Sequence, residues 1–183
     1  QRTYTGTATA DFTIGKATFT PVVSIEGWTY GEDANTPVVT NNLGGGAETF
    51  SYSVAGTNNF TATVPSNAGN YTVKATIAES DNYQSAEATA DFTISKAVFT
   101  PTVTLQGWAF GSEPNSPVVT GNISNGQVTF TYKAAGATEF AAAVPTAAGT
   151  HTVKATIAAT DNYESAEAKL RSEERRVGKE CRS

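Results

Sequence analysis

A general base, a pair of carboxylates and a stacked aromatic are the chemistries this chain could supply, and each has few candidates. His151 is the single histidine. An imidazole could serve as a base and accept a proton, but a nucleophilic triad also needs a hydroxyl or thiol and an orienting carboxylate beside it. The residue eighty positions earlier is Tyr71, so an aromatic ring filling a core or turn position suits both places. Glu32-Asp33 offers carboxylates of the kind glycosidases pair. Eighty positions on, the text is Ser112-Glu113, and Glu79 likewise becomes Ala159. Asp81-Asn82-Tyr83 and Asp161-Asn162-Tyr163 present oxygens to a cation, yet one Asp and one Asn fall short of the ~6–8 ligands calcium takes. The same triplet makes an Asx turn in which the side chains cap backbone groups. No catalytic residue, cofactor or metal is expected, and the chain is read as non-enzymatic.

The candidate ligand platform is Trp28, Tyr30, Trp108 and Phe110, since exposed rings of this kind stack on sugar faces. The competing reading is burial. Phe19, Val23 and Ile25 share one strand parity, whereas Trp28 and Tyr30 have the other, and a β-bulge at Gly27 or Gly107 would turn the aromatics back toward the core. Tyr30 becomes Phe110 in the later text, so the position does without a hydroxyl, which suits packing. Lys74 and Lys154 raise an intramolecular Lys–Asn/Asp crosslink, but their outward parity in the strand favours solvated lysines.

Those residues belong to a unit of eighty residues written twice without insertion. Asp11-Phe-Thr-Ile14 returns as Asp91-Phe-Thr-Ile94, Trp28 as Trp108, Thr36-Pro-Val-Val-Thr40 as Ser116-Pro-Val-Val-Thr120, and Thr72-Val-Lys-Ala-Thr-Ile-Ala78 as Thr152-Val-Lys-Ala-Thr-Ile-Ala158. A period of this length marks an array of small domains. Threonine, valine and alanine dominate while methionine is absent, which favours strands. In Tyr71–Ile77 the apolar Tyr71, Val73, Ala75 and Ile77 alternate with Thr72, Lys74 and Thr76, the pattern of a half-buried antiparallel strand. Phe50 and Tyr52, and Phe130 and Tyr132, alternate in the same way, each after an Asn/Gly-rich turn. The fold class is all-β, two tandem small antiparallel domains, with an Ig-like sandwich favoured and a β-grasp-like open sheet as the alternative. Residues 1–14 read as the last strand of a preceding repeat, 16–94 as repeat one and 96–170 as repeat two. The junction Ile94-Ser-Lys96 is too short for a flexible tether, so successive units should form a semi-rigid rod.

The text changes character after Leu170. Residues 171–183, Arg-Ser-Glu-Glu-Arg-Arg-Val-Gly-Lys-Glu-Cys-Arg-Ser, resemble the conceptual translation of a sequencing adapter, a non-native tail on a metagenomic fragment; the alternative is a natural basic helical tail. Of 12 basic and 17 acidic residues, five and three lie in that tail, so the body carries seven against fourteen. An acidic body with scattered lysines has no footprint for nucleic acid, and no apolar run is long enough for a membrane helix. The one cysteine, Cys181, also belongs to the tail, leaving a thiol-free body suited to export. Positions matching Phe92 and Ile94 are Ser172 and Glu174. Losing two buried apolar side chains removes roughly 3–6 kcal/mol, so repeat two is expected to be the less stable.

The ordered set Gly-Trp-x-Tyr/Phe-Gly, Pro-Val-Val-Thr, Val-Pro-x-x-Ala-Gly, Thr-Val-Lys-Ala-Thr-Ile-Ala, Asp-Asn-Tyr and Asp-Phe-Thr-Ile resembles the tandem MBG-type repeats, allied to bacterial Ig-like repeats, over essentially all of residues 1–170. What the resemblance implies is a non-catalytic, extracellular module of bacterial cell-surface or secreted proteins, in stalks or adhesins. Its partners would be neighbouring repeats of the same chain, and glycans or host surface proteins if it binds at all. A glycan-binding module and an accessory domain of a secreted polysaccharide hydrolase are the alternatives.

Overall fold

The computed structural model describes residues 1–171, without the side chain of Arg171. Eleven strands and no helix occur among the described residues. The first repeat holds β1 (Val22–Ser24), β2 (Trp28–Thr29), β3 (Val38–Thr40), β4 (Glu48–Val54), β5 (Gly69–Ile77) and β6 (Ala86–Ser95). They form a two-stranded sheet, β1-β3, and a four-stranded sheet in the order β2-β6-β5-β4. The second repeat holds β7 (Thr102–Thr104), β8 (Val118–Thr120), β9 (Val128–Ala134), β10 (His151–Ile157) and β11 (Ala166–Arg171), arranged as β7-β8 and β11-β10-β9. Each repeat is thus an all-β unit of a small sheet and a larger one. The small sheet has two three-residue strands, fewer than the three or four strands in each sheet of an immunoglobulin sandwich.

The strand alternation sets the inner face. Val73, Ala75 and Ile77 are completely buried, with Thr72, Lys74 and Thr76 between them only partly so. Antiparallel register then aligns Tyr52 with Val73 and Phe50 with Ala75, and in the second repeat Tyr132 with Val153 and Phe130 with Ala155. The second core gathers Val103, Tyr132, Val153, Ala155 and Ala168, with Leu105, Val119 and Leu170 packed against it, so the small sheet covers the larger one. Each fully buried Val or Ile side chain contributes about 1.5–3 kcal/mol.

The turn before β4 also follows from its residues. Asn41 takes a left-handed φ of 62°, which Asn tolerates better than other non-glycine residues, and Asn42 Nδ2 donates to Gly46 O at 3.0 Å. Gly46 packs so tightly that a Cβ there would collide with the carbonyl of Ala78, whose N–H donates to Ala47 O.

Gly27 corrects the bulge expectation. No ladder runs across it: β1 ends at Ser24 in one sheet and β2 begins at Trp28 in the other, so the chain changes sheets between them. Changing partner sheets resets which face is inward, and Val23 and Trp28, of opposite parity, are therefore both buried. Glycine is required at position 27 for proximity, because a Cβ would collide with the carbonyl of Thr93 on β6. At Gly107 a Cβ would meet nothing within 4 Å, and residues 108–109 form no strand.

Residues 1–14 form no strand and are exposed throughout. A strand without a partner sheet has nothing to complete its hydrogen bonds or bury its apolar side chains. By compactness the chain divides into two units, Gln1–Trp28 with Asp33–Pro65 and Asn70–Thr93, and Thr29–Glu32 with Ser66–Gly69 and the chain from Ile94 onward. The expectation that Ser172 and Glu174 weaken repeat two falls on positions outside the described residues.

Candidate functional site

Trp28 is buried, at 8% exposure, by β2 lying beside β6. Its indole stacks on Phe92, ring centroids 5.2 Å apart at 24°. Phe92 in turn stacks on Tyr71 at 5.8 Å and meets Tyr52 edge-on at 6.2 Å. Four aromatic rings therefore close on one another, and one face of Trp28 is occupied. The main-chain N–H of Tyr30 donates to Ser95 O at 2.8 Å, and within the second unit its ring meets Tyr163 edge-on at 5.4 Å.

Trp108 and Phe110 stand differently. Trp108 is only partly buried, and Phe110 is 79% exposed. The position matching Phe92, Trp28's stacking partner, is Ser172, outside the described residues. Beside this segment lies an open groove of about 350 Å³, lined by Leu105, Asn115, Ser116, Val118 and Leu170 among others. The four platform residues thus stand apart: Trp28 is buried, Tyr30 and Trp108 are partly buried, and Phe110 is exposed.

Both tryptophan loops are pinned by an asparagine that sequence reasoning passed over. Asn35 Nδ2 donates to the carbonyls of Glu26 and Gly27 at 3.2 and 3.1 Å, and Asn115 Nδ2 to those of Gln106 and Gly107 at 3.2 Å each. The available signal was the return of Asn at the same place in both copies.

The Asp-Asn-Tyr triplets serve as turns that anchor the start of each repeat. Ser80 N donates to Tyr83 O, Ala17 N to Asn82 O and Gln84 N to Ala17 O; Ala97 is held in the same way by Asn162 and Glu164. Tyr83 meets Phe19 edge-on, as Tyr163 meets Phe99. Asn162 Oδ1 accepts from Ala68 N at 2.9 Å inside the second unit. Asp81 and Asp161 are exposed, and among the described residues no cluster of three His, Cys, Asp or Glu is placed to hold a metal ion.

The position shared by Tyr71 and His151 does two different jobs. Where Tyr71 stacks on Phe92, His151 donates through Nε2 to Ala147 O at 2.9 Å. That bond spends the nitrogen on a turn.

Lys74 and Lys154 lie on the outer face of the larger sheets, as parity predicts, but they are covered rather than free. Lys74 Nζ pairs with Glu87 at 3.6 Å and sits 4.7 Å from the Phe60 ring centre; Lys154 pairs with Glu167 at 3.6 Å and sits 4.5 Å from Phe140. Phe140 also receives Lys133 at 5.0 Å and Lys169 at 5.9 Å. Single bridges, Tyr52 to Thr61 and Tyr132 to Ala141, hold the segments carrying these phenylalanines against the sheet. Cation–π attraction adds about 0.5–2 kcal/mol per pair, rising with the desolvation of the cation.

A family model described as the MBG domain matches the chain twice, over residues 27–98 and 102–173. No curated protein and no solved structure matches it.

Proposed function

Since this chain belongs to the MBG domain family, we propose that its two repeats are non-catalytic spacers of a bacterial cell-surface or secreted protein, which hold another domain away from its anchor by serial stacking. The observation that supports the reading is the hydrogen bonding that runs through residues 95–97. β6 runs to Ser95, and from the next residue on the chain is tied again, Lys96 Nζ to Thr160 O at 2.7 Å and Ala97 N to Asn162 O at 2.9 Å. A tether would need unbonded residues there. The polar side chains singled out for chemistry support the same reading, because His151, Asn162, Lys74 and Lys154 are each engaged in holding a turn or a sheet face.

Small-angle scattering on arrays of two, four and six such repeats tests it. A spacer predicts a maximum dimension that grows in proportion to repeat number. Growth with its square root, the behaviour of flexibly joined beads, overturns it.

A second reading, a glycan-binding module, is favoured by one observation, the 79% exposure of Phe110 beside a partly exposed Trp108. Saturable binding on a glycan array, abolished by Phe110→Ala, would establish it over the spacer.

A further inference from the structure

The outer face of the larger sheet in the second repeat carries a charge arrangement that the first repeat lacks. Lys133, Lys154 and Lys169 stand on the adjacent strands β9, β10 and β11, and their ammonium groups lie 5.0, 4.5 and 5.9 Å from the centre of the Phe140 ring. Register sets Lys154 directly opposite Lys169. Like charges so placed destabilise a sheet. The first repeat has Ser53 and Thr89 at the positions matching Lys133 and Lys169, and keeps only Lys74, beside Phe60. The fold therefore does not require the cluster.

Nor is its charge balanced from within. Among the described residues, Glu167 alone reaches these lysines at ion-pair distance, 3.6 Å from Lys154. Phe140 draws the cations through its quadrupole but removes none of their charge. Residues 1–170 hold seven Lys and Arg against fourteen Asp and Glu, and three of the seven gather at this one ring. An uncompensated cation cluster on an otherwise acidic body is a place for an anion to bind.

The rest of the face narrows the partner. The other outward side chains of β9 and β10 are Thr129, Thr131, Thr152 and Thr156, so hydroxyls flank the lysines and no aliphatic group does. An acidic peptide is taken up by a free strand edge or by an arginine cluster, whereas these lysines sit on the face of strands whose main chains are paired with one another. Hydroxyls beside ammonium groups suit a chain that carries hydroxyls and anions together.

We propose that the Lys133, Lys154 and Lys169 face of the second repeat binds an acidic polysaccharide, one whose sugars bear carboxylate or sulfate groups. The ammonium groups donate charge-assisted hydrogen bonds to the anionic groups, and the threonines bond the sugar hydroxyls. The site is separate from Phe110, and the spacer reading holds whether or not this face is occupied.

Isothermal titration of the full chain with polygalacturonate, dextran sulfate, uncharged dextran and poly-glutamate is the test. Binding to at least one acidic polysaccharide is expected, weakening as salt rises, with none to dextran; the stronger of the two tells carboxylate from sulfate. Lys133→Ser with Lys169→Thr, the residues the first repeat carries there, should weaken binding by about 10-fold or more, and Lys169→Thr alone, at an exposed position, by about 3-fold. Arg2→Ser with Lys16→Ser removes as much charge elsewhere and should leave binding unchanged. No binding to either acidic polysaccharide, an equal loss in the two double variants, or poly-glutamate bound as tightly as the polysaccharides overturns the proposal.

Discussion

Cutting Phe92 and Phe12 to alanine separates what a residue type contributes from what its tertiary place contributes. Both stand second in Asp-Phe-Thr-Ile, at 6% and 85% exposure. The change at Phe92 removes a ring that meets Trp28, Tyr71 and Tyr52 at 5.2, 5.8 and 6.2 Å. Core Phe→Ala changes cost about 3–5 kcal/mol, and losing three ring pairs places this one near the top of that range, about 4–5 kcal/mol. For a domain of this size the midpoint moves by ~4–8 °C per kcal/mol, so the first repeat should melt roughly 16–40 °C lower. Against a typical stability of ~5–15 kcal/mol this is a large share. Phe12→Ala should change stability by no more than about 0.5 kcal/mol. Urea unfolding followed by near-UV circular dichroism reads both. A loss below about 1.5 kcal/mol at Phe92, half the lower bound for such a change, would refute the reasoning that the four-ring cluster holds the larger sheet together, as would equal losses at the two sites.

Three more outcomes follow from particular contacts. Gly27→Ala should destabilise the first repeat by about 1–3 kcal/mol through its collision with Thr93, whereas Gly107→Ala should be neutral or stabilising by up to about 1 kcal/mol; equal shifts in urea midpoint would sink the distinction. Acrylamide should quench Trp108 strongly and Trp28 weakly, read in Trp28→Phe and Trp108→Phe variants, and matching quenching constants would contradict the burial difference. Burial raises the phenols of Tyr52 and Tyr132 above their ordinary value of 10.0. Their stabilising contribution is whole below that pH and is lost as pH climbs through the raised folded values, because the unfolded chain releases its phenolic protons first. Urea midpoints should therefore fall above pH ~10, and less steeply in Tyr52→Phe with Tyr132→Phe; an identical slope in that variant would count against this.

Much of the fold was legible because it depends on short-range geometry. Side chains alternate along any strand, so the inward set Val73, Ala75 and Ile77 and the outward set Thr72, Lys74 and Thr76 can be read residue by residue. The eighty-residue period announces two copies of whatever one copy makes, and the Asn/Gly-rich turn before β4 carries its left-handed Asn41 in its composition. Of the candidate site, the choice between burial and exposure for the tryptophans could be posed in this way but not answered.

What the amino-acid sequence by itself determined is therefore the repeat, the strand-based class and the inner face of each long strand. Only the tertiary structure decided that the chain changes sheets at Gly27, that Phe60 and Phe140 fold back over the lysines, and that Trp28 is closed while Trp108 and Phe110 lie open. The physical reason is the same in each case. Periodicity is a property of one strand, whereas the sheet a strand joins, and the ring that covers a tryptophan, depend on partners dozens of residues away. Identical residues such as Phe12 and Phe92 thus end in opposite environments, according to whether a sheet is there to receive them.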